Sequence, residues 1–433
     1  MCHIELVSQV DTRGSGSEAG STRGRIHGRR MRSLRHVALF GPAFVAAIAY
    51  VDPGNVAANI TAGARYGFLL VWVLVVANLI AMLIQYQSAK LGIVTGRSLP
   101  GLLGERLSRR KRQVFWVQAE VVAIATDLAE VLGGAIALQL LFDLPLVLGG
   151  VIVGIISTLM LLLQNPRRQR VFETVIVGML AIIVVGFLAG LVVNPPTAGD
   201  VLGGMIPRLE GPETVLLAAS MLGATVMPHA IYVHSALVID RHGVTESLPR
   251  RRKLVRVTRW DVVIALTVAG AVNIALLLLA AQNLLGKQGT DTIEGAYHAV
   301  ADSMGPAMAT IFAIGLLASG LAATSVGSSA GAAIMAGLLH KRVPLLVRRL
   351  VTLIPALVVL AVGVDPTWAL VLSQVVLSFG IPFAIIPLGR LTSDRSIMGE
   401  FADGWPLRIL ATVASAMIVL LNIALIVLVF TGA

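Results

Sequence analysis

The chain has 433 residues, of which 56% are apolar and only 13% charged, about half the charged fraction of an ordinary soluble protein. So few charges cannot coat the several soluble domains that this length would otherwise suggest, and a membrane protein is the class that remains. A single cysteine, Cys2, excludes an internal disulfide framework and any CxxC metal or redox site, and the net charge of +11 comes without the stacking platforms of a nucleic-acid groove.

Residues 1–36 are polar, with seven Arg among Ser and Gly and no apolar core of a secretory signal. They read as a disordered cytoplasmic tail; Glu5, Asp11 and Glu18 speak against an organellar transit peptide. The transmembrane domain is expected over 37–433. Apolar stretches of about 20 residues, enough to cross a bilayer, fall near 38–62, 68–95, 113–142, 145–164, 171–193, 213–240, 260–285, 307–339, 344–362, 365–389 and 407–431. The third is the weakest, because Glu120, Asp127 and Glu130 interrupt it.

Loop charge supports eleven spans. With the N-terminus inside, all of the 34 Lys and Arg except Arg65, Arg208 and Lys287 fall in cytoplasmic segments or the adjoining helix ends, as the positive-inside rule requires. Removing the third span would invert every later loop. The expected location is the cell (inner) membrane, with the N-terminus cytoplasmic and the C-terminus extracytoplasmic.

The first span runs apolar from Gly41 into Asp52, Pro53, Gly54 and Asn55. A carboxylate at mid-membrane is kept only where it faces protein or water. Pro53 has no N–H, so the Ala49 carbonyl one turn earlier loses its intrahelical donor. Freed carbonyls beside a carboxylate make a cation site; the other reading is an ordinary Asp-Pro-Gly-Asn turn. The sixth span repeats the device at Met227 and Pro228, which frees the Ala224 carbonyl. The interruptions are offset by five spans, an odd number, so the two halves are inserted in opposite orientations, the pattern of an inverted-repeat transporter with its site at the midplane.

These residues carry a specific resemblance. Asp52 to Asn55 in span one, Met227, Pro228 and His229 with His234 in span six, and Ser373 and Gln374 in span ten resemble the Nramp family of divalent-metal/proton symporters, in its bacterial manganese and iron transporter form. The likeness runs from about Gly41 through span eleven. It implies an all-α membrane protein of LeuT type, with spans 1–5 (37–195) and 6–10 (211–390) as inverted repeats, helices 1 and 6 discontinuous, and an eleventh helix at 405–433. It implies manganese and ferrous iron as usual substrates, with cobalt and cadmium as further candidates.

The metal ligands carried over by motif are the Asp52 carboxylate, the Asn55 side-chain carbonyl, the Met227 sulfur and the main-chain carbonyls of Ala49 and Ala224, joined in some conformations by Gln374. The set is chemically coherent. A thioether is a soft ligand, so transition metals tolerate or prefer it, whereas calcium and magnesium gain little from it. The plainer reading of Met227 is a gap-filling core methionine.

His229 and His234 are five apart, about 140° around an ideal helix, so they do not form a two-His zinc face. Each is either a hydrogen-bonded structural residue or a proton-exchanging one, and the resemblance favours His229 in the second role. Glu120, Asp127 and Glu130 share one helix face. They read either as a proton route beginning at Asp52 or as a static ion-pair network with Arg348 and Arg349; the two are compatible. Asn273 matches a polar position of the pattern, as support for the site or as an interhelical hydrogen bond. Departures are Ala230, where Asn commonly follows, and 318–324, which lacks the usual polar pair of span eight.

The expected activity is proton-coupled import of divalent transition metal by alternating access. No P-loop is present and no enzyme chemistry is indicated. The metal is cargo and no cofactor is expected; the partners are metal ions, protons and the bilayer, with no nucleic acid and no required protein partner. Competing readings are a magnesium or other hard-ion transporter, which Met227 opposes; an amino-acid/sodium symporter, whose substrate carboxylate Asp52 would repel; and a channel or metal-sensing receptor.

Overall fold

The computed structural model describes residues 41–162, 169–287, 289–341 and 343–431; the expected tail lies outside them. Among the described residues every regular element is a helix. Helices are what a lipid-facing chain can afford, because they close their backbone hydrogen bonds internally.

The first half comprises α1 (Pro42–Ile48), extended by a tight turn at Ala49–Val51, then α2 (Pro53–Tyr66), α3 (Val71–Thr95), α4 (Leu99–Arg106), α5 (Arg109–Phe142), α6 (Leu146–Leu162), α7 (Gln169–Val193) and α8 (Ala198–Gly203). The second comprises α9 (Pro212–Thr225), α10 (Pro228–His242), α11 (Leu248–Asn283), α12 (Ile293–Met304), α13 (Pro306–Leu339), α14 (Leu345–Val362), α15 (Pro366–Ser393), α16 (Arg395–Met398) and α17 (Trp405–Thr431).

Seven helical stretches among the described residues are long and apolar enough to cross a membrane: Val71–Thr95, Arg109–Phe142, Pro212–His242, Leu248–Asn283, Pro306–Leu339, Pro366–Ser393 and Trp405–Leu428. Pro42–Val51, Leu146–Met160 and Val177–Leu191 are shorter apolar helices. The window that looked weakest is one continuous helix, α5, because its acids Asp127 and Glu130 turn inward and are buried. Helix α11 starts well before its apolar window. Its Arg250–Arg259 segment is too charged for a hydropathy window, yet Arg and Lys are good helix formers. Hydropathy also gave no sign of α4, α8 and α12, which are short.

Large apolar side chains face outward, and a set of polar groups is buried within the apolar core. Val185, Leu350 and Phe430 point outward, whereas Asp52, Asn55, His234 and Gln374 are buried. Small residues allow the close approach that this interior needs. A Cβ on Gly223 would lie 2.0 Å from the Gln374 carbonyl, so α9 and α15 touch through backbone there.

Prolines recur inside the helices, and in α15 the released carbonyls are taken up by side chains from other helices. In α15, Pro382 and Pro387 leave the Ser378 and Phe383 carbonyls without their intrahelical donors. Asn422 Nδ2 of α17 donates to Ser378 at 2.9 Å, and the Tyr232 hydroxyl of α10 donates to Phe383 at 3.1 Å.

Substituting Gly223→Ala should therefore cost about 1–3 kcal/mol through overpacking, read as a lowered melting temperature of the detergent-solubilised protein. An unchanged melting temperature would contradict the close α9–α15 contact.

Candidate metal centre

The first broken helix turns at one residue. Asp52 is extended (φ −79°, ψ 167°) between the turn that ends α1 and the start of α2. Its Oδ1 accepts the Asn55 backbone N–H at 2.9 Å, so the carboxylate caps α2, and Pro53 occupies the first turn, where its missing N–H costs nothing. This is a buried break in a helix and not a surface turn. Pro53 gives no N–H to the Ala49 carbonyl. The next two carbonyls are held from across the bundle: Asn273 Nδ2 donates to Tyr50 at 2.7 Å, and the Ser319 hydroxyl donates to Val51. Asn59 in turn donates to Asn273 Oδ1 at 3.2 Å.

The second break lies at Val226 and Met227, between α9 and α10. Pro228 releases the Ala224 carbonyl. That carbonyl accepts from Asn55 Nδ2 at 2.9 Å, and the same Nδ2 donates to Asp52 Oδ1 at 2.8 Å. One amide thus ties the carboxylate of the first break to the freed carbonyl of the second. Gln374 closes the cluster from α15, its Nε2 3.5 Å from Asp52 Oδ2 and its Oε1 buried without a hydrogen-bond partner. Ala49, Asp52, Asn55, Ala224, Met227 and Gln374 are each 1% exposed or less. Met227, at the N-terminal cap of α10, is carried to the break by Pro228.

The chemistry of this cluster follows from who donates. The Asn55 amino group places the positive end of a dipole between an anionic oxygen and a carbonyl oxygen. A cation satisfies the same two acceptors. Turning the Asn55 amide over presents Oδ1 as an additional oxygen ligand. Among the described residues no three His, Cys, Asp or Glu converge, so a cation here would meet one carboxylate and otherwise neutral donors.

The other expected residues form a separate polar line. Arg348 grips Glu120 with two hydrogen bonds, at 2.7 and 3.0 Å. Arg349 Nη1 stands 3.1 Å from Asp127 Oδ1 without hydrogen-bond alignment, and its Nη2 donates to Ser157 Oγ at 2.8 Å. Glu130 is buried, with Oε2 unbonded. His229 Nδ1 lies 3.4 Å from Thr126 Oγ1 on α5, whereas His234 Nδ1 lies 2.7 Å from Gln85 Oε1 on α3, so the two imidazoles serve different helices. Gln85 also donates to the Tyr50 hydroxyl at 2.5 Å. Sequence reasoning missed Ser319, Thr126, Gln85 and Tyr50; the available signal was a polar side chain inside an apolar span.

Two half-helices meeting at a buried polar break inside an apolar helical bundle define a LeuT-type membrane transporter. The family model of the natural resistance-associated macrophage protein-like (Nramp) proteins matches residues 43–428. The divalent metal cation transporter MntH of Mycobacterium tuberculosis is 58% identical over 394 residues, 91% of this chain and 92% of the relative. The crystal structure of the Eremococcus coleocola manganese transporter, in complex with an aromatic bis-isothiourea substituted compound, superposes with a TM-score of 0.81 at 32% identity, covering 89% of this chain and 85% of that one. MhsT in complex with L-phenylalanine shares the fold alone, with a TM-score of 0.59 at 15% identity over 88% of this chain and 98% of its own. The chain belongs to the Nramp family.

Both members of the Arg349–Asp127 pair are buried, so Arg349→Met should destabilise the protein by about 3–5 kcal/mol by leaving a bare carboxylate. Combining it with Asp127→Asn should restore part of that loss. Additive melting-temperature losses in this double-mutant cycle would show that the two do not interact.

Proposed function

We propose that this protein imports divalent transition-metal ions, manganese and ferrous iron foremost, in symport with protons. The observation that carries the reading is the Asn55 amide bound at once to the Asp52 carboxylate and the Ala224 carbonyl, at the contact of the two broken helices. Metal would displace that amide hydrogen from both oxygens and be held by Asp52, Asn55 Oδ1, Met227 and the freed carbonyls of Ala49 and Ala224, with Gln374 at hand. Met227 supplies the preference for transition metals over magnesium and calcium. The names of the M. tuberculosis and E. coleocola relatives support the metal assignment.

Asp52 takes the first proton, and His229, His234, Glu120, Asp127 and Glu130, with Arg348 and Arg349, carry or balance it. Asn273 acts on the site by holding the Tyr50 carbonyl. Alternating access runs by rocking of the repeats 37–195 and 211–390 about the two breaks. The protein sits in the cell membrane across eleven spans, its N-terminus in the cytoplasm and its C-terminus outside, and it carries metal as cargo with no cofactor.

Proteoliposomes report both fluxes. Saturable Mn²⁺ uptake with internal acidification is expected; absence of saturable uptake would defeat the proposal, and uptake without acidification would reduce it to a uniporter. In the same vesicles Met227→Ala should lower uptake of Mn²⁺ relative to Ca²⁺. Asp127→Asn should impair proton flux more than metal binding; equal loss of both would remove Asp127 from the proton route.

A further inference from the structure

A groove of about 590 Å³ opens between α4, α5 and the C-terminal end of α15. Lys111, Arg106 and Arg390 line it together with Phe115, Phe383 and Ile386. Lys111 is one helical turn before Phe115, and Arg390 one turn beyond Ile386, so charge sits at the helix ends and apolar wall runs back along the helices. The Phe115 and Phe383 rings meet edge to face, 5.6 Å apart. A second groove, of about 370 Å³, lies on the other side of Arg390, shares Arg390 and Ile386 with the first, and is bordered by Arg408.

We infer that these paired grooves bind an anionic glycerophospholipid of the cytoplasmic leaflet. The phosphate rests on Lys111 and Arg390, and the two acyl chains straddle α15, one in each groove. The charge balance fits that occupant. Among the described residues no carboxylate stands within 4.0 Å of Lys111 or Arg390. Arg106 does meet Asp394, at 4.0 Å. The Ser396 hydroxyl and amide bond Asp394 at 2.7 and 2.8 Å and hold its carboxyl below the usual range, so it stays anionic and offsets Arg106. Arg408 is turned to the neutral carbonyls of Asp403 and Ser393.

The apolar wall separates the lipid from a soluble anion. Free phosphate would be satisfied by the basic side chains alone and would leave Phe115, Phe383 and Ile386 without a role. A basic peptide such as residues 1–40, with Arg from position 13 to 35, has the same sign as those side chains. Basic pockets between helices at the cytoplasmic face are the usual receptors of anionic headgroups. The site also reaches the transport machinery, because the Tyr232 hydroxyl of α10 is bonded to the Phe383 carbonyl behind the groove. The inference takes its leaflet from the proposed orientation, stands otherwise on charge and shape at this surface, and is independent of which ion the protein carries.

The test is native mass spectrometry of the full-length protein, counting phosphatidylglycerol and phosphatidylcholine retained by the wild type and by the Lys111→Gln/Arg390→Gln variant. The wild type should retain phosphatidylglycerol in preference. Retention should weaken by roughly fivefold for each charge removed, survive in Lys111→Arg/Arg390→Lys, and withstand added inorganic phosphate. Three results would each overturn the assignment: equal phosphatidylglycerol retention by wild type and the Gln variant, equal retention of the two lipids, or displacement by inorganic phosphate. The conservative variant separates loss of charge from loss of fold.

Discussion

A carbonyl released by proline inside a lipid-embedded bundle favours a new donor, and the arrangement of this protein depends on how those of Ala224, Ser378 and Phe383 find theirs. Lipid offers no hydrogen bond, and an unsatisfied polar group in hydrocarbon costs several kcal/mol. In α15 the donors are permanent: Asn422 and Tyr232 bind Ser378 and Phe383 and stitch α15 to α17 and α10. At the first break Asn273 and Ser319 do the same for Tyr50 and Val51. The Ala224 carbonyl differs. Its donor is the amide of Asn55, which binds Asp52 at the same time. A donor shared between a carboxylate and a carbonyl is one that a cation can replace, and the hydrogen bonds of Asn273 and Ser319 fix the first break beside it.

The polar line along α5 obeys a related constraint. Charges on an otherwise apolar helix persist because arginines of α14 meet them, tightly at Glu120 and loosely at Asp127. The pairs weaken along the helix, from two aligned hydrogen bonds at Glu120, to an unaligned contact at Asp127, to Glu130 with an unbonded oxygen. The hydrogen bonding of these acids is thus strongest at Glu120 and weakest at Glu130.

What the sequence disclosed was local. Proline lacks an N–H wherever it stands, so the breaks at Asp52 and Met227 and the carbonyls of Ala49 and Ala224 could be read from single positions. The common face of Glu120, Asp127 and Glu130 followed from helical spacing, and its turning away from lipid from the cost of charge there, with an ion-pair network to Arg348 and Arg349 as one of two readings. Which acid takes which arginine was hidden, because that depends on how α14 lies on α5. Ser319, Tyr232 and Asn422 escaped for the same reason: each is a polar side chain inside an apolar span, but the carbonyl it meets belongs to a distant part of the chain. Hydropathy also misjudged the start of α11, since it scores polarity while arginine and lysine continue a helix without difficulty.

The central claim is that a cation takes the place of the Asn55 amide hydrogen between Asp52 and Ala224. Anomalous diffraction from crystals of the protein grown with Mn²⁺ tests it most directly. The account predicts a peak at coordinating distance from the Asp52 carboxylate and the Ala224 carbonyl, with Met227 sulfur in the same shell. A peak among Glu120, Asp127 and Glu130, with the Asn55 bridge intact, would contradict it.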